Sequence, residues 1–170
     1  CQASRRASQN CPVRKLNLRS RKWRYDLSNS MYVEDISPSR LVRSRQKLLD
    51  LLRSKQEGTM GLIAYAGDAH VVSPLTDDLR TIENLLPALT PDIMPVVGSK
   101  PEIAIKLATN LLRDSGLEHG QILLVTDGIR GGDTRQIKHE LAGTRYRLSV
   151  LGVGTPDGGP IPTGKGFLRD

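Results

Sequence analysis

The chain has 170 residues and a net charge of +7, and 38% of its residues are hydrophobic but only 4% are aromatic. This length suits one domain, and the composition predicts a core built from Leu, Ile, Val and Ala. No apolar run approaches the roughly 20 residues that a membrane-spanning helix needs, and no signal peptide is visible. The sequence therefore excludes a bilayer-spanning helix within these residues and favours a globular domain.

The positive charge is concentrated in residues 1–25, which contain eight Lys or Arg and no Asp or Glu. The remaining residues carry 17 basic and 18 acidic side chains, so they are close to neutral. Residues 1–25 have no useful apolar periodicity, and we predict a basic, irregular, solvated segment. Contact with nucleic acid or anionic lipid is the alternative. Cys1 and Cys11 lie here, without metal-site spacing, and whether they pair stays open.

Beyond residue 30, apolar runs alternate with amphipathic stretches. The apolar runs predict strands at residues 60–66, 69–72, 121–125 and 146–153. The tight turn at Gly67-Asp68 makes the second of these strands antiparallel to the first. Amphipathic spacing predicts helices that begin near residues 37, 76, 101 and 133. We expect Ser37 to cap the first helix, and Ser99 or Lys100 to cap the third.

This alternation predicts an α/β fold, doubly wound, with a mostly parallel central sheet and helices on both faces. In such sheets, functional groups lie at the carboxyl ends of the strands. Asp127 follows the strongest predicted strand, Gln121–Val125. Asp26 holds an equivalent position if a strand precedes it.

The segment Asp26-x-Ser28-x-Ser30 places an aspartate and two serines at alternate positions. Alternate side chains of an extended segment point to the same side. A tight turn after such a segment could gather one carboxylate and two hydroxyls around a point. These hard oxygen donors suit Mg²⁺, Mn²⁺ or Ca²⁺.

Three separated pieces of the chain converge on this prediction. They are Asp26-x-Ser28-x-Ser30, Gly98-Ser99 before a helix and Thr126-Asp127-Gly128 after a strand. In this order they resemble the metal-ion-dependent adhesion site of von Willebrand factor A domains. The resemblance spans residues 26 to about 160 and looks closest to the bacterial membrane-anchored branch called aerotolerance-type, or BatA/BatB-like. Residues 61–67, 73–78 and 91–95 also resemble that branch. We therefore expect a domain at 26–160 and a Gly- and Pro-rich tail at 161–170.

The resemblance implies a divalent cation site whose residues are Asp26, Ser28, Ser30, Ser99 and Asp127. In the family pattern the hydroxyls of the first motif bind the cation directly, and the aspartates act largely through water. The cation, Mg²⁺ before Mn²⁺ or Ca²⁺, then keeps much of its charge. An open position accepts an acidic side chain from a partner protein.

The resemblance also implies a protein-interaction module rather than an enzyme. It suggests a bacterial cell-envelope protein, with the domain on the periplasmic side of the inner membrane and related envelope proteins as partners. No specific nucleic acid is implied, and the membrane segments lie outside this chain. Because the chain begins with Cys and ends before the family's last helix, we expect a piece truncated at both ends.

Each piece of the site also has a simpler explanation. The first motif occurs again as Asp35-x-Ser37-x-Ser39, which we interpret as a turn and a helix cap. Ser99 could serve only as a helix cap, and Thr126-Asp127-Gly128 could be an ordinary exit from a strand. The alternative function is an α/β phosphotransfer or hydrolase enzyme that uses Asp127. Such an enzyme needs a nucleophile or general base, and none is evident.

The segment before the first motif departs from the family pattern. Residues 19–25 are rich in Arg and Lys, whereas a central parallel strand is a nearly continuous apolar run. Burying several unpaired cations would cost much free energy. We therefore expect the segment to pair only briefly at Trp23–Tyr25, or the sheet to form without it.

Overall fold

The computed structural model describes residues 20–54, 58–163 and 166–169. The strands in these ranges are β1 (Ser20–Asp26), β2 (Thr59–Tyr65), β3 (Ala69–Thr76), β4 (His119–Thr126), β5 (Arg145–Gly152), β6 (Pro160–Thr163) and β7 (Gly166–Arg169). The α-helices are α1 (Arg40–Arg53), α2 (Leu79–Leu85), α3 (Pro101–Asp114) and α4 (Gly131–Leu141). Short 3-10 turns cover Asn29–Tyr32, Leu86–Ala88 and Pro91–Ile93. The predictions for residues 1–19, including Cys1 and Cys11, lie outside the described residues.

The main sheet has five strands in the order β3-β2-β1-β4-β5. β1 is parallel to β2 and β4, and β5 is parallel to β4. β3 is antiparallel to β2, as the turn at Gly67-Asp68 predicts. Residues of α1 and α2 pack in the apolar cluster on one face, and residues of α3 and α4 pack in two clusters on the other. The predicted α/β class, with a mostly parallel sheet between helices, is confirmed.

The basic segment before the first motif is the central strand, which the sequence analysis did not expect. β1 pairs with β2 along its whole length, from Ser20 to Asp26, and its residues 21–25 also pair with β4. Residues 20–25 therefore belong to the sheet rather than to an irregular segment. The prediction failed because it treated the cations as too costly to bury, whereas the strand buries Lys22 and Arg24 as well as Trp23 and Tyr25.

Alternate side chains of β1 lie on opposite faces of the sheet, in different surroundings. Trp23 and Tyr25 belong to the apolar cluster that α1 and α2 complete. Lys22 and Arg24 lie on the side of α3 and are 1% and 0% exposed. Arg24 Nε donates to the carbonyl of Ala104 at 3.0 Å, and its Nη1 donates to the carbonyl of Lys22 at 3.3 Å. Its Nη2 has no hydrogen-bond partner among the described residues.

The first helix begins two residues beyond the position that the sequence predicts. α1 starts at Arg40, and Ser39 is its N-cap, with a hydroxyl that accepts from the Val42 N–H at 3.3 Å. Ser37, the predicted cap, is exposed, and its carbonyl accepts from Arg43 at 2.7 Å. The prediction erred because Ser37 and Ser39 are equally good caps, and only the backbone path separates them.

The other helix boundaries lie within a few residues of the predictions. Asp78 caps α2 by accepting from the Arg80 N–H at 3.1 Å. Lys100 holds the N-cap position of α3, with Pro101 as the first helical residue. α4 begins at Gly131, earlier than predicted.

The C-terminal residues form a hairpin, in which β6 and β7 pair antiparallel. The Gly- and Pro-rich composition predicts an irregular tail here, and the hairpin differs from that prediction. β6 contacts the 3-10 turn Asn29–Tyr32, so the hairpin lies beside the first motif. In the part of the chain that the structure describes, no helix is both long enough and apolar enough to cross a membrane.

Candidate functional site

The first and third pieces of the predicted site lie at the same edge of the sheet. Asp26 is the last residue of β1, and Thr126 is the last residue of β4. These strands are adjacent and parallel, so their carboxyl ends meet. The hydroxyl of Thr126 donates to Asp26 Oδ2 at 2.8 Å, although the two residues are 100 positions apart in the sequence.

The carboxylate of Asp26 is fully buried and accepts hydrogen bonds from three donors. The Ser28 N–H donates to Oδ1 at 2.9 Å. Oδ2 accepts from the Tyr65 hydroxyl at 2.9 Å, in addition to the hydroxyl of Thr126. Two carboxylate oxygens offer about four acceptor positions, so this set of donors orients the group and leaves it some remaining capacity.

Burial, and then the nearby negative charge of Asp127, together raise the pKa of Asp26 to about 6. Hydrogen bonds from Ser28 and Thr126 act in the opposite direction. A buried carboxylate beside a second one is the arrangement that a cation relieves, because it neutralises both charges. The electrostatics of this edge therefore favour a positive ligand.

The two serines of the first motif come together in the turn after β1. Ser28 adopts an extended conformation immediately before the 3-10 turn Asn29–Tyr32, and the Met31 N–H donates to its carbonyl at 3.0 Å. This turn brings Ser28 Oγ within 3.0 Å of Ser30 Oγ. The two hydroxyls are therefore within hydrogen-bond distance of each other in the turn that follows Asp26.

The loop that contains Ser99 lies at the end of the neighbouring strand β2. The Leu27 N–H donates to the carbonyl of Tyr65, and the Lys100 N–H donates to that of Ala66, both at 2.8 Å. The loops that carry Ser28 and Ser99 thus contact consecutive residues of one strand end. Ser99 is partly exposed.

Gly67 permits the close approach of that loop. Its N–H donates to the carbonyl of Val96 at 2.9 Å. A Cβ atom at Gly67 would lie 2.4 Å from the carbonyl oxygen of Val97. A larger residue at position 67 would therefore displace the segment that ends in Ser99.

Asp127 follows β4 and is paired with a cation from α1. Arg40 Nη1 lies 2.9 Å from Asp127 Oδ2, and Arg40 Nε lies 2.9 Å from Asp35 Oδ1. The side chain of Arg40 is only 3% exposed, so this cation is buried together with its partners. The ion pair also occupies part of the carboxylate that the alternative enzyme hypothesis would use.

Sequence reasoning missed three residues that hold the site together: Tyr65, Thr126 and Arg40. Thr126 was visible as the residue between a buried strand and Asp127. Tyr65 and Arg40 had no local signal, because their contacts with Asp26 and Asp127 cross 39 and 87 positions of sequence.

Among the described residues, no three or more His, Cys, Asp or Glu side chains lie close enough together to hold a metal ion. His70, His119 and His139 are exposed. His70 Nε2 lies 2.8 Å from the carboxylate of Asp68, which is partly exposed. The three histidines therefore lie on the surface.

The donor set of the first motif fits a small divalent cation. Mg²⁺ takes octahedral oxygen ligands at about 2.0–2.1 Å, which places adjacent ligands about 2.9 Å apart. The hydroxyl oxygens of Ser28 and Ser30 are 3.0 Å apart. Two hydroxyls at this spacing beside a buried carboxylate are suitable for one edge of such a coordination shell.

Residues 25–130 match the family of von Willebrand factor type A domains. This match covers more than half of the chain, and the chain belongs to that family. It contains the first and third site motifs and the Ser99 loop, in the order that the sequence analysis described.

Within the family, the chain is similar to the aerotolerance-related, BatB-like branch. It is 30% identical to an aerotolerance-related membrane protein from Bacteroides fragilis, with a TM-score of 0.78, covering 89% of this chain and 77% of that one. It is 31% identical to BatB from Bacteroides thetaiotaomicron, with a TM-score of 0.77, covering 89% and 76%. The predicted resemblance to this branch is confirmed.

A curated relative is an uncharacterized protein of Borreliella burgdorferi. It is 28% identical over 137 residues, which are 78% of this chain and 40% of that protein. The chain thus spans less than half the length of this relative.

Proposed function

We propose that the chain is a metal-ion-dependent protein-interaction module. The observation that carries the proposal is the pair of hydroxyls of Ser28 and Ser30, 3.0 Å apart in the turn after the buried Asp26, whose carboxylate accepts from the Ser28 N–H. Ser99 and Asp127 complete the proposed ligand set. A divalent cation, Mg²⁺ before Mn²⁺ or Ca²⁺, supplies a Lewis-acidic centre that attracts an anionic ligand.

The chemistry of this donor set favours binding rather than catalysis. Hydroxyl ligands leave the charge of the cation largely uncompensated, so an acidic side chain from a partner is an effective additional ligand. Hydrolysis needs a nucleophile or base positioned beside the cation. The nearest carboxylates, Asp26 and Asp127, are engaged by hydroxyl donors and by Arg40.

The partner class and the location follow the branch to which the chain is similar. We propose that the partner is another bacterial envelope protein that presents an acidic side chain. The domain would lie on the periplasmic side of the inner membrane, attached through segments outside this chain. Two solved relatives of the branch are an aerotolerance-related membrane protein and BatB.

Calorimetric titration with Mg²⁺ and with Mn²⁺ tests the proposal. The unaltered chain should bind one equivalent of cation. At a free cation concentration one hundred times Kd, the free energy of unfolding should rise by about 2.7 kcal/mol. Asp26→Asn and Ser30→Ala should each abolish most of this binding. Asp50→Ala, at an exposed position of α1, is the matched control and should leave it unchanged. Absence of binding by the unaltered chain would refute the metal site.

A further inference from the structure

Arg40 lies in a buried ion triad at the margin of the proposed metal site. Its guanidinium contacts Asp127 at 2.9 Å on one side. On the other side it contacts both oxygens of Asp35, at 2.9 and 3.0 Å. The three side chains are only 3%, 8% and 4% exposed for Arg40, Asp127 and Asp35. Solvent screening between these charges is therefore weak.

The loop after β5 fixes the far end of this triad. The Thr155 N–H and hydroxyl donate to Asp35 Oδ2 at 2.6 and 2.9 Å. Burial alone would raise the pKa of Asp35, but hydrogen bonds from Arg40 and Thr155 lower it to about 2. A Cβ at Gly154 would lie 2.8 Å from Arg40 Nε, and its φ of +119° is accessible to glycine. The loop thus lies directly against the guanidinium and keeps Asp35 ionised.

The charges of the four side chains Arg40, Asp26, Asp35 and Asp127 do not cancel one another. Arg40 carries one positive charge, and the ionised carboxylates of Asp26, Asp35 and Asp127 carry three negative charges. The sum is −2, which Mg²⁺ would neutralise. Without a cation, Arg40 is the positive group that contacts Asp127.

We propose that Arg40 is the internal counter-ion of Asp127 and competes with the divalent cation for that carboxylate. Asp35 moderates the competition, because it shares the guanidinium. Arg40 is then a positioning residue that sets the affinity for metal without touching it. This inference rests on the proposed function, since it concerns the same cation.

The first test compares Arg40→Met with Arg53→Met by calorimetric titration with Mg²⁺ at 0.15 M ionic strength. Methionine keeps much of the length of the side chain and removes its charge. Arg40→Met should bind Mg²⁺ about tenfold more tightly, because a positive charge has left the site. Arg53 also lies on α1 but pairs with Glu83 at the surface, so Arg53→Met should match the unaltered chain. Arg40→Lys retains the charge and should restore affinity close to that of the unaltered chain.

The second test uses the opposite end of the triad, and covers the case in which Arg40→Met does not fold. Asp35→Asn removes the second carboxylate charge beside the guanidinium, which should then interact more strongly with Asp127, so Mg²⁺ should bind about threefold to tenfold more weakly. Glu34→Gln removes the same charge from the neighbouring exposed position and should have little effect. A purely structural role for Arg40 would not give these opposite changes in Kd.

The outcomes separate the two proposals. If the unaltered chain binds no Mg²⁺ or Mn²⁺, both the proposed function and this inference fail. If the unaltered chain binds metal but Arg40→Met binds it equally or less tightly, only the counter-ion role is overturned. An unchanged or tighter Kd for Asp35→Asn overturns it as well.

Discussion

Both faces of the central strand β1 are buried, but one carries aromatic side chains and the other carries charged side chains. On one face, Trp23 and Tyr25 are fully buried among apolar side chains, and the Tyr25 hydroxyl donates to the carbonyl of Leu41 at 3.0 Å. On the other face, Lys22, Arg24 and Asp26 are at most 1% exposed. The first face contributes apolar burial, whereas the second requires a partner for every charge.

The charged face itself changes character along the strand. Asp26, at the carboxyl end, accepts from three protein donors and lies beside the proposed cation site. Arg24, two residues earlier on the same face, donates to two carbonyl groups. Its third nitrogen has no partner in the described part of the chain. A buried charge is therefore well compensated by donors at the strand end and costly in the middle of the sheet.

The largest effect is expected on the apolar face. Trp23→Ala should lower the free energy of unfolding by about 3–5 kcal/mol, because it removes a large side chain from a fully packed core. Urea unfolding followed by circular dichroism measures this loss. Val150→Ala, at an edge-strand residue that is 49% exposed, is the control and should change stability little. A similar loss for both variants would show that the two positions do not differ in burial.

A change of opposite sign is expected at the middle of the charged face. Arg24→Met should raise the free energy of unfolding by about 1–4 kcal/mol, since an apolar side chain of similar length replaces an incompletely bonded cation. Burial lowers the pKa of the Arg24 guanidinium well below its usual range, in agreement with this cost. The same urea measurement checks it. Destabilisation by Arg24→Met would mean that the bonds to Ala104 and Lys22 outweigh the desolvation of the charge.

The smallest effect, at Lys22, depends on pH. Burial, and then the like charge of Arg24, lowers the pKa of Lys22 from 10.5 to about 8. Between these values the unfolded chain holds a proton that the folded chain has released, so the contribution of Lys22 to stability rises with pH. Below pH 8 the cost of the buried charge is fully present, and Lys22→Met should stabilise the fold by up to about 3 kcal/mol.

That advantage of Lys22→Met should shrink progressively between pH 8 and pH 10. Urea unfolding of both proteins at pH 7, 8, 9 and 10 measures it. Lys47→Met, at an exposed position of α1, is the control and should give a difference independent of pH. A constant advantage of the Lys22 variant across this range would contradict the lowered pKa.

Local patterns were enough to predict most of the elements. The apolar run 60–66 and the run 121–125 predicted buried strands, and β2 and β4 are found there. Pro101 predicted the start of α3, where it is the first helical residue. These predictions succeeded because both signals are contained in a few neighbouring residues. A strand buried on both faces is a continuous apolar run, and proline is favoured at the first position of a helix.

The two copies of the D-x-S-x-S pattern show where local patterns stop being sufficient. In the first copy, the Ser28 and Ser30 hydroxyls lie 3.0 Å apart beside Asp26. In the second copy, Asp35 binds Arg40 while Ser39 caps α1. The same spacing gives different geometries, because the first copy follows a central strand and the second precedes a helix.

The sequence by itself determined the alternation of strands and helices, the family, and the order of the motifs at the proposed site. Only the tertiary structure decided that the basic segment before Asp26 is the central strand, and that Tyr65, Thr126 and Arg40 hold the two aspartates. The physical reason is that these features depend on contacts between residues 39 to 100 positions apart. Pairing of β1 with strands on both sides places its cations in the interior, a result that no property of those residues alone predicts.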